Sequence, residues 1–205
     1  MYYGEKFNSI THSAGVVLAA IGGVLLIVLA SRLGDPWKIV SFSIYGATLL
    51  CLYLTSTLYH SLRGSAKDVL RTLDHCAIYL LIAGSYTPFT LVTLRGAWGW
   101  SLFGAVWGLA IVGIVQEVCF AKGARIVSLV IYVMMGWLAI IGVRPLIEAL
   151  SWAGFLWLAA GGLLYTIGIA FYASDDKLRH AHGVWHLFVL GGSICHYVAV
   201  LYYVA

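Results

Sequence analysis

Long apolar stretches alternate with short polar connections along the whole chain. A transmembrane helix needs about 20 consecutive, mainly apolar residues, and seven stretches reach that length: residues 13–31, 37–62, 73–94, 98–121, 125–143, 151–172 and 182–203. Because the connections are short, neighbouring helices are expected to run antiparallel. The pattern predicts an all-α fold, a polytopic membrane protein with a seven-transmembrane-helix bundle that forms a single domain over residues 1–205.

The composition supports a lipid environment. Apolar residues make up 62% of the 205 residues and charged residues 10%, against about 25% charged residues in soluble domains. The twelve lysines and arginines are scattered between the apolar stretches, whereas a nucleic-acid-binding face needs a basic patch. The four cysteines lie far apart and form no CxxC pair. We therefore expect neither nucleic-acid binding nor a disulfide framework.

The positive charges predict the orientation, since cytoplasmic connections carry an excess of lysine and arginine. If the N-terminus is cytoplasmic, four positive residues face outward and eight face the cytoplasm: Lys6, Arg63, Lys67, Arg71, Lys122, Arg125, Lys177 and Arg179. This orientation is the reverse of that of rhodopsin-type receptors and disfavours an ordinary G-protein-coupled receptor. We expect a multi-pass protein of the cell inner (plasma) membrane with its N-terminus in the cytoplasm.

Two local features predict helix geometry. Pro88 in the third stretch removes a backbone donor and should kink the helix, with nearby serine and threonine hydroxyls bonding the freed carbonyls. Gly104 and Gly108 form a small-xxx-small face in the fourth stretch. For these glycines, tight packing within the bundle is favoured over a dimer contact.

Several polar residues collect at one depth of the predicted bundle. Ser56 and His60 lie near the end of the second stretch, Asp74 near the beginning of the third, and His182 and His186 at the beginning of the seventh. Successive reversals of direction bring all three places to the cytoplasmic side. Ionisable residues in membrane helices are costly, so these residues are candidates for function.

The spacing of the histidines favours a metal site. His182 and His186 are four residues apart and share one helix face, and His60 would supply a third imidazole. Three histidines suit a catalytic Zn²⁺, which keeps a fourth position for water. Asp74 is then a candidate general base and proton donor, and Ser56 a candidate hydrogen-bond donor to a substrate carbonyl or oxyanion. The alternative is that these are ordinary interfacial histidines. The metal-site hypothesis fails if the helices that carry the three histidines are not adjacent.

Other polar residues are weaker candidates. Glu5, Asn8 and His12 lie on one helical stripe before the first apolar stretch and could line or cap the site, and for them an interfacial cap is favoured over a ligand role. His75 is turned about 100° away from Asp74 on the helix. Gln116, Glu117 and His180 are interpreted as interfacial, and His196 as a histidine packed within the membrane.

Together these residues resemble the bacterial hemolysin III family, which is grouped with the progestin and adipoQ receptors and therefore with the adiponectin receptors. The resemblance covers nearly the whole chain and rests on four motifs: Glu5-x-x-Asn8-x-x-x-His12, Ser56-Thr57-Leu58-Tyr59-His60, Asp74-His75-Cys76-Ala77-Ile78-Tyr79 and His182-Gly183-Val184-Trp185-His186. Tyr86-Thr87-Pro88-Phe89 fits the family as well.

The resemblance implies a seven-helix bundle with a cytoplasmic N-terminus and a zinc ion held by three histidines, which match His60, His182 and His186. It also implies that the family's aspartate, which contacts zinc through water, matches Asp74, and that its serine matches Ser56. The adiponectin receptors are associated with ceramide hydrolysis, and the wider superfamily includes alkaline ceramidases.

The leading functional hypothesis is a zinc-dependent intramembrane hydrolase that acts on a lipid amide or ester and contributes to membrane-lipid homeostasis. Its partners would be the lipid bilayer and a membrane lipid or fatty-acyl substrate. The first alternative is a non-enzymatic sensor or receptor with a structural zinc site. A pore-forming haemolysin and a metal transporter are further alternatives.

Overall fold

The structure is a computed structural model that describes residues 4–120, 126–175 and 177–205. The regular structure in those ranges is helical, as the sequence predicts. The α-helices are α1 (Lys6–Leu33), α2 (Pro36–Ser61), α3 (Ser65–Pro88), α4 (Ala97–Cys119), α5 (Ile126–Trp137), α6 (Val143–Tyr172) and α7 (Ala181–Tyr203). A π-helical turn, Phe89–Thr93, extends α3, and a 3-10 helix, Leu138–Gly142, joins α5 to α6. The predicted helix ends at 121 and 125, and the charges of Lys122 and Arg125, lie outside the described residues.

Within the described residues, six helical stretches are long and apolar enough to cross a membrane, with α5 and α6 counted as one stretch of 47 residues. Their outer faces expose many large apolar side chains, such as Ile21 and Ile141, each with 65% of its surface accessible. Water-soluble proteins rarely expose apolar patches of this extent. The chain is therefore a multi-pass membrane protein whose outer faces suit contact with lipid.

The stretch formed by α5 and α6 is broken at Ser151, where φ is 63° and ψ is 166°. These angles are not helical, so residues 143–150 form a short helix that is distinct from the helix after Ser151. The break coincides with the start of the predicted 151–172 stretch. Trp137 Nε1, at the end of α5, donates to Thr166 Oγ1 at 3.1 Å. This bond brings the end of α5 beside the second half of α6.

Pro88 ends the regular part of α3, and the helix continues as a widened π-helical turn. Hydroxyl groups bond the carbonyls on either side. Thr87 Oγ1 donates to Ala83 O at 2.9 Å, and Thr90 Oγ1 donates to Tyr86 O at 3.0 Å. The irregularity that the sequence predicts at Pro88 is present, and side-chain hydroxyls compensate for it as expected.

The prediction that Gly104 and Gly108 pack within the bundle is wrong. A Cβ atom built on either glycine meets no atom within 4 Å, because this face of α4 points outward. Two other glycines allow a close helix approach: a Cβ on Gly46 of α2 would lie 3.2 Å from the Cα of Gly23 on α1. The spacing of small residues shows that another helix could pack closely against this face. Whether one does depends on how the helix is rotated in the bundle.

Side chains of helices α2 and α7 meet in the core. Tyr53 OH on α2 donates to Ser193 Oγ on α7 at 2.8 Å, and α1 joins them through Tyr197 OH, which donates to Gly22 O at 3.1 Å. The metal-site hypothesis requires side chains of α2 and α7 to meet in the bundle. The bond between Tyr53 and Ser193 shows that they do.

Candidate metal centre

Three histidines from two helices converge at one end of the bundle. His60 lies in the last turn of α2, and His182 and His186 lie in the first turns of α7. The ring centroids are separated by 4.9 Å for His60 and His182, 5.0 Å for His60 and His186, and 4.7 Å for His182 and His186. One ring nitrogen from each lies within 4.8 Å of the other two. The three side chains that the sequence predicts as ligands could therefore hold one metal ion.

The Nε2 atoms of these three histidines are the natural ligand atoms. Each is buried and has no hydrogen-bond partner in the described part of the chain. Leaving a buried polar atom unpaired costs about 1–3 kcal/mol. One partner that binds all three atoms would remove this cost for each of them. A metal ion with three imidazole ligands satisfies all three at once, and the donor set fits such an ion.

Carboxylates hold the opposite ring nitrogen of two of the histidines. Glu5 Oε2 lies 2.6 Å from His60 Nδ1, and Asp175 Oδ2 lies 2.9 Å from His182 Nδ1. Because Nδ1 donates a hydrogen bond to the carboxylate, it carries the ring proton, and Nε2 keeps the lone pair that can bind a metal. The hydrogen bond from His182 lowers the pKa of Asp175 below its usual value, so this acceptor is ionised at neutral pH.

His186 is held by α1 instead of by a carboxylate. Its Nδ1 lies 3.2 Å from Asn8 O and 3.2 Å from Thr11 Oγ1. The Thr11 hydroxyl already donates to main-chain carbonyls of its own helix, so it accepts from His186. Sequence reasoning missed both Thr11 and Asp175. The bond of Thr11 joins segments that are distant in the chain, and the bond of Asp175 depends on the conformation of the connection before α7; neither leaves a spacing signal.

Glu5 does not have the interfacial capping role that the sequence favoured for it. It is the N-cap residue of α1, but its side chain makes no capping hydrogen bond. Its carboxylate accepts from Lys67 Nζ at 2.8 Å and from Asn8 Nδ2 at 2.9 Å, in addition to His60. Burial raises the pKa of Glu5, but these hydrogen bonds outweigh burial and hold the pKa well below its usual value. Glu5 is therefore an ionised positioning group behind His60.

His12 is likewise not interfacial. Only 2% of its surface is exposed, and its ring stacks on that of His186 with centroids 3.6 Å apart and an interplanar angle of 15°. Tyr53 meets the His12 ring edge-on at 5.0 Å. His12 thus belongs to the interior of the site.

The two residues predicted to be catalytic, Asp74 and Ser56, are both buried, with 5% and 1% of their surface exposed. Asp74 lies on the wall of an apolar cavity of about 130 Å³, together with His12. Ser56 lies one turn before His60 on the same face of α2. Asp74 therefore lines a space that reaches the ring stacked on His186, whereas Ser56 is placed near the candidate ligand His60 by its position on α2.

Comparison with known proteins identifies the family. A family model described as "Haemolysin-III related" matches residues 2–197. The chain belongs to this family. A protein of Bacillus subtilis (strain 168) named "Hemolysin-3 homolog" is 48% identical over 200 residues, which cover 97% of this chain and 93% of the relative.

More distant relatives of this haemolysin-III chain come from eukaryotes. The "Monocyte to macrophage differentiation factor" of Homo sapiens is 32% identical over 209 residues, covering 98% of this chain and 84% of the human protein. The "Heptahelical transmembrane protein ADIPOR2" of Oryza sativa subsp. japonica is 29% identical over 189 residues, covering 80% of each chain. The resemblance inferred from the four motifs is confirmed.

The interior of this haemolysin-III chain holds a second apolar cavity, of about 110 Å³, which extends from the first towards Leu94 and Leu146. The two cavities share wall residues from α3, α5, α6 and α7: Ser85, Tyr86, Gly136, Trp137, Gly162 and His196. The two cavities are therefore neighbours, and their walls run from His12 and Asp74 to Leu94, after the π-helical turn, and Leu146, near the start of α6.

A second buried polar cluster lies on the neighbouring face of α3. His75 Nδ1 is 3.2 Å from Glu117 Oε1, and Ser128 Oγ donates to Glu117 Oε2 at 2.7 Å. The Glu117 side chain is 0% exposed, so the sequence-based assignment of Glu117 to the interface is wrong. A carboxylate in this position needs fixed donors, and donors contributed by other helices cannot be read from the spacing in α4.

Proposed function

We propose that this protein is a zinc-dependent intramembrane hydrolase that cleaves a lipid amide or ester in the inner (plasma) membrane and contributes to membrane-lipid homeostasis. The observation that carries the proposal is the set of three buried Nε2 atoms without partners, on His60, His182 and His186. In each of the three rings, Nδ1 bonds an acceptor, which fixes the orientation of the ring. Such outer partners are typical of metal-binding histidines.

Zinc is favoured over other ions by the type of ligand. Three neutral imidazoles suit Zn²⁺, whereas Mg²⁺ and Ca²⁺ prefer oxygen ligands. When bound at such a site, zinc activates water at neutral pH and polarises a carbonyl group. His60, His182 and His186 would hold the ion, and Glu5, Asp175, Asn8 and Thr11 would keep the three rings oriented.

The residues around the histidines supply the other chemical groups that hydrolysis needs. Asp74 lies on the cavity wall, where it can take a proton from the attacking water and return it to the leaving group. Ser56 can donate a hydrogen bond to the oxygen on which negative charge develops. The apolar space beyond Asp74 is lined by aliphatic and aromatic side chains, which fits a fatty-acyl chain.

An assay on purified protein tests the proposal. Protein reconstituted in detergent micelles or nanodiscs is incubated with lipid amides and esters that carry a labelled acyl chain. We expect release of labelled fatty acid, loss of release after chelation, and recovery when Zn²⁺ is added back. Release that does not respond to chelation, or no release from zinc-loaded protein with either class of substrate, would contradict the proposal.

The proposal includes seven membrane crossings with a cytoplasmic N-terminus. A helix of 47 residues would be about 70 Å long at 1.5 Å per residue, more than twice the roughly 30 Å of a hydrocarbon core. The break at Ser151 and the bond between Trp137 and Thr166 support two crossings within this stretch. The name of the rice relative, a heptahelical protein, agrees with this count.

Reporter fusions at the two ends of the chain test the number of crossings. An odd number places the termini on opposite sides of the membrane. We expect a fluorescent protein fused to the N-terminus to fluoresce, and alkaline phosphatase fused to the C-terminus to be active because it lies outside the cytoplasm. If both termini report the same side, seven crossings are excluded.

A non-enzymatic sensor with structural zinc is the second candidate. It is supported by the position of the site, which joins α1, α2 and α7 through Glu5, Asn8 and the three histidines, with Lys67 of α3 attached through Glu5. An ion there would fix four helices to one another. The two candidates differ in their need for Asp74, which a structural site does not use.

A further inference from the structure

His12 is the member of the histidine cluster for which the proposed hydrolase mechanism gives no role. Its side chain is 2% exposed, and neither ring nitrogen has a hydrogen-bond partner in the described part of the chain. A neutral imidazole carries one donor and one acceptor, so both capacities are unused in an interior position. Such groups are normally paired in folded proteins.

His12 is not prepared as a fourth metal ligand. In His60, His182 and His186, an acceptor bonds Nδ1, and the buried Nε2 has no partner in the described part of the chain. His12 has no such acceptor, and its contacts are through the face and edge of the ring, with His186 and Tyr53. These contacts fix where the ring lies without using its nitrogens.

The cavity next to His12 offers the missing partner. His12 and Asp74 both line the apolar cavity. Hydroxyls elsewhere on that wall are already used within the protein: Tyr86 OH donates to Gly136 O at 2.9 Å, and Thr166 Oγ1 donates to Gly162 O at 2.7 Å. Among the buried side-chain atoms of this wall in the described part of the chain, those without a partner are the two ring nitrogens of His12 and Nδ1 of His196. Of these two residues, His12 is the one whose ring stacks on a candidate ligand, His186.

We propose that His12 is a substrate-contacting residue, whose ring nitrogen hydrogen-bonds a hydroxyl or other polar hydrogen in the head region of the lipid. The stack on His186 places this contact beside the three histidines. The polar part of the lipid then lies next to the hydrolytic centre, and its acyl chain lies in the cavity. This inference rests on the proposed function for the identity of the ligand as a lipid.

Two ligands that differ in one hydrogen-bond donor test the contact without requiring hydrolysis. A long-chain fatty alcohol and its methyl ether each displace a fluorescent fatty-acyl probe from the purified protein. Because one hydrogen bond to a neutral group changes affinity by about tenfold, the unmodified protein should bind the alcohol about tenfold more tightly. His12→Phe, which keeps an aromatic ring for stacking, should bind the alcohol and the ether equally, with ether affinity and metal content unchanged.

Two further variants separate contact with the ligand from a structural role. His12→Asn retains a donor and an acceptor and should recover part of the preference for the alcohol. Tyr45→Phe is the matched control, because Tyr45 OH is also buried without a partner but lines neither cavity. It should leave the preference intact. Both phenylalanine variants should melt at the same temperature as the unmodified protein or higher, since each removes an unpaired buried polar group.

The proposal is overturned if His12→Phe keeps the tenfold preference, or if it loses affinity for alcohol and ether alike together with its metal. Its failure is distinguishable from failure of the proposed function. If no lipid is hydrolysed but the alcohol preference depends on His12, the hydrolase proposal fails and the contact stands. If lipid is hydrolysed and His12→Phe binds and cleaves like the unmodified protein, the contact fails and the hydrolase proposal stands.

Discussion

Replacement of His186 by alanine is expected to abolish stoichiometric metal binding and to lower hydrolysis by more than about 100-fold, beyond what loss of an outer partner costs. His186 is fully buried, its Nδ1 bonds α1, and its Nε2 has no partner in the described part of the chain. Without it only two imidazoles remain, and a zinc site with a free position needs three protein ligands. Metal analysis of the purified variant gives the first result, and the labelled-lipid assay gives the second.

Two companion variants show whether the effect is specific to the ligand set. Glu5→Gln keeps the shape of the side chain but removes the charge behind His60, and it should weaken metal affinity about 10- to 100-fold without abolishing it. His196→Ala should leave metal content unchanged, because the His196 ring bonds Leu158 O deep in the bundle. A His186→Ala protein that keeps one metal per chain, or three variants with the same metal content, would contradict this assignment.

Asp74→Asn should lower the rate of hydrolysis by about 10²- to 10⁴-fold, the usual contribution of a general acid–base group, while zinc stays bound. Asparagine has nearly the same volume as aspartate and suits the buried position on the cavity wall, but it cannot accept a proton. The rate constant and the zinc content are measured on the same preparation, so that loss of chemistry is separated from loss of metal.

The Asp74 variant also separates the two candidate functions. A hydrolase loses its biological effect in cells when Asp74 is replaced, whereas a sensor with structural zinc retains it. Zinc-dependent release of fatty acid that survives Asp74→Asn would refute the assignment of Asp74 as the base. Ser56→Ala serves as a second probe, with an expected loss of about 10²- to 10³-fold if its hydroxyl stabilises the developing oxyanion.

The sequence allows the helices and the three histidines to be predicted because both depend on short-range regularities. Apolar length defines a membrane helix, and the four-residue spacing of His182 and His186 places them on one face. His60 joins them because consecutive helices reverse direction, which brings the end of α2 and the start of α7 to the same depth. A break near Ser151 is predictable for the same reason, since a connection with Arg144 and Glu148 separates the apolar stretches 125–143 and 151–172.

The groups behind the histidines could not be predicted, because tertiary packing selects them. Glu5 looks like a helix cap in sequence, yet its carboxylate bonds His60 and Lys67 on other helices. Asp175 is one of several polar residues before α7, and only the loop conformation brings it to His182. Glu117 is buried because α4 is rotated so that this side chain faces its neighbours. The order of apolar and polar residues within α4 does not reveal that rotation.

The most direct test of the central claim is X-ray absorption spectroscopy at the zinc edge on the purified protein, with total zinc measured on the same sample. We predict one zinc ion per chain in a shell that contains three imidazole ligands, and loss of that signal in His60→Ala, His182→Ala and His186→Ala. Protein purified in the presence of zinc that contains no stoichiometric metal, or zinc with the same spectrum in all three variants, would contradict the claim that these histidines form the metal centre.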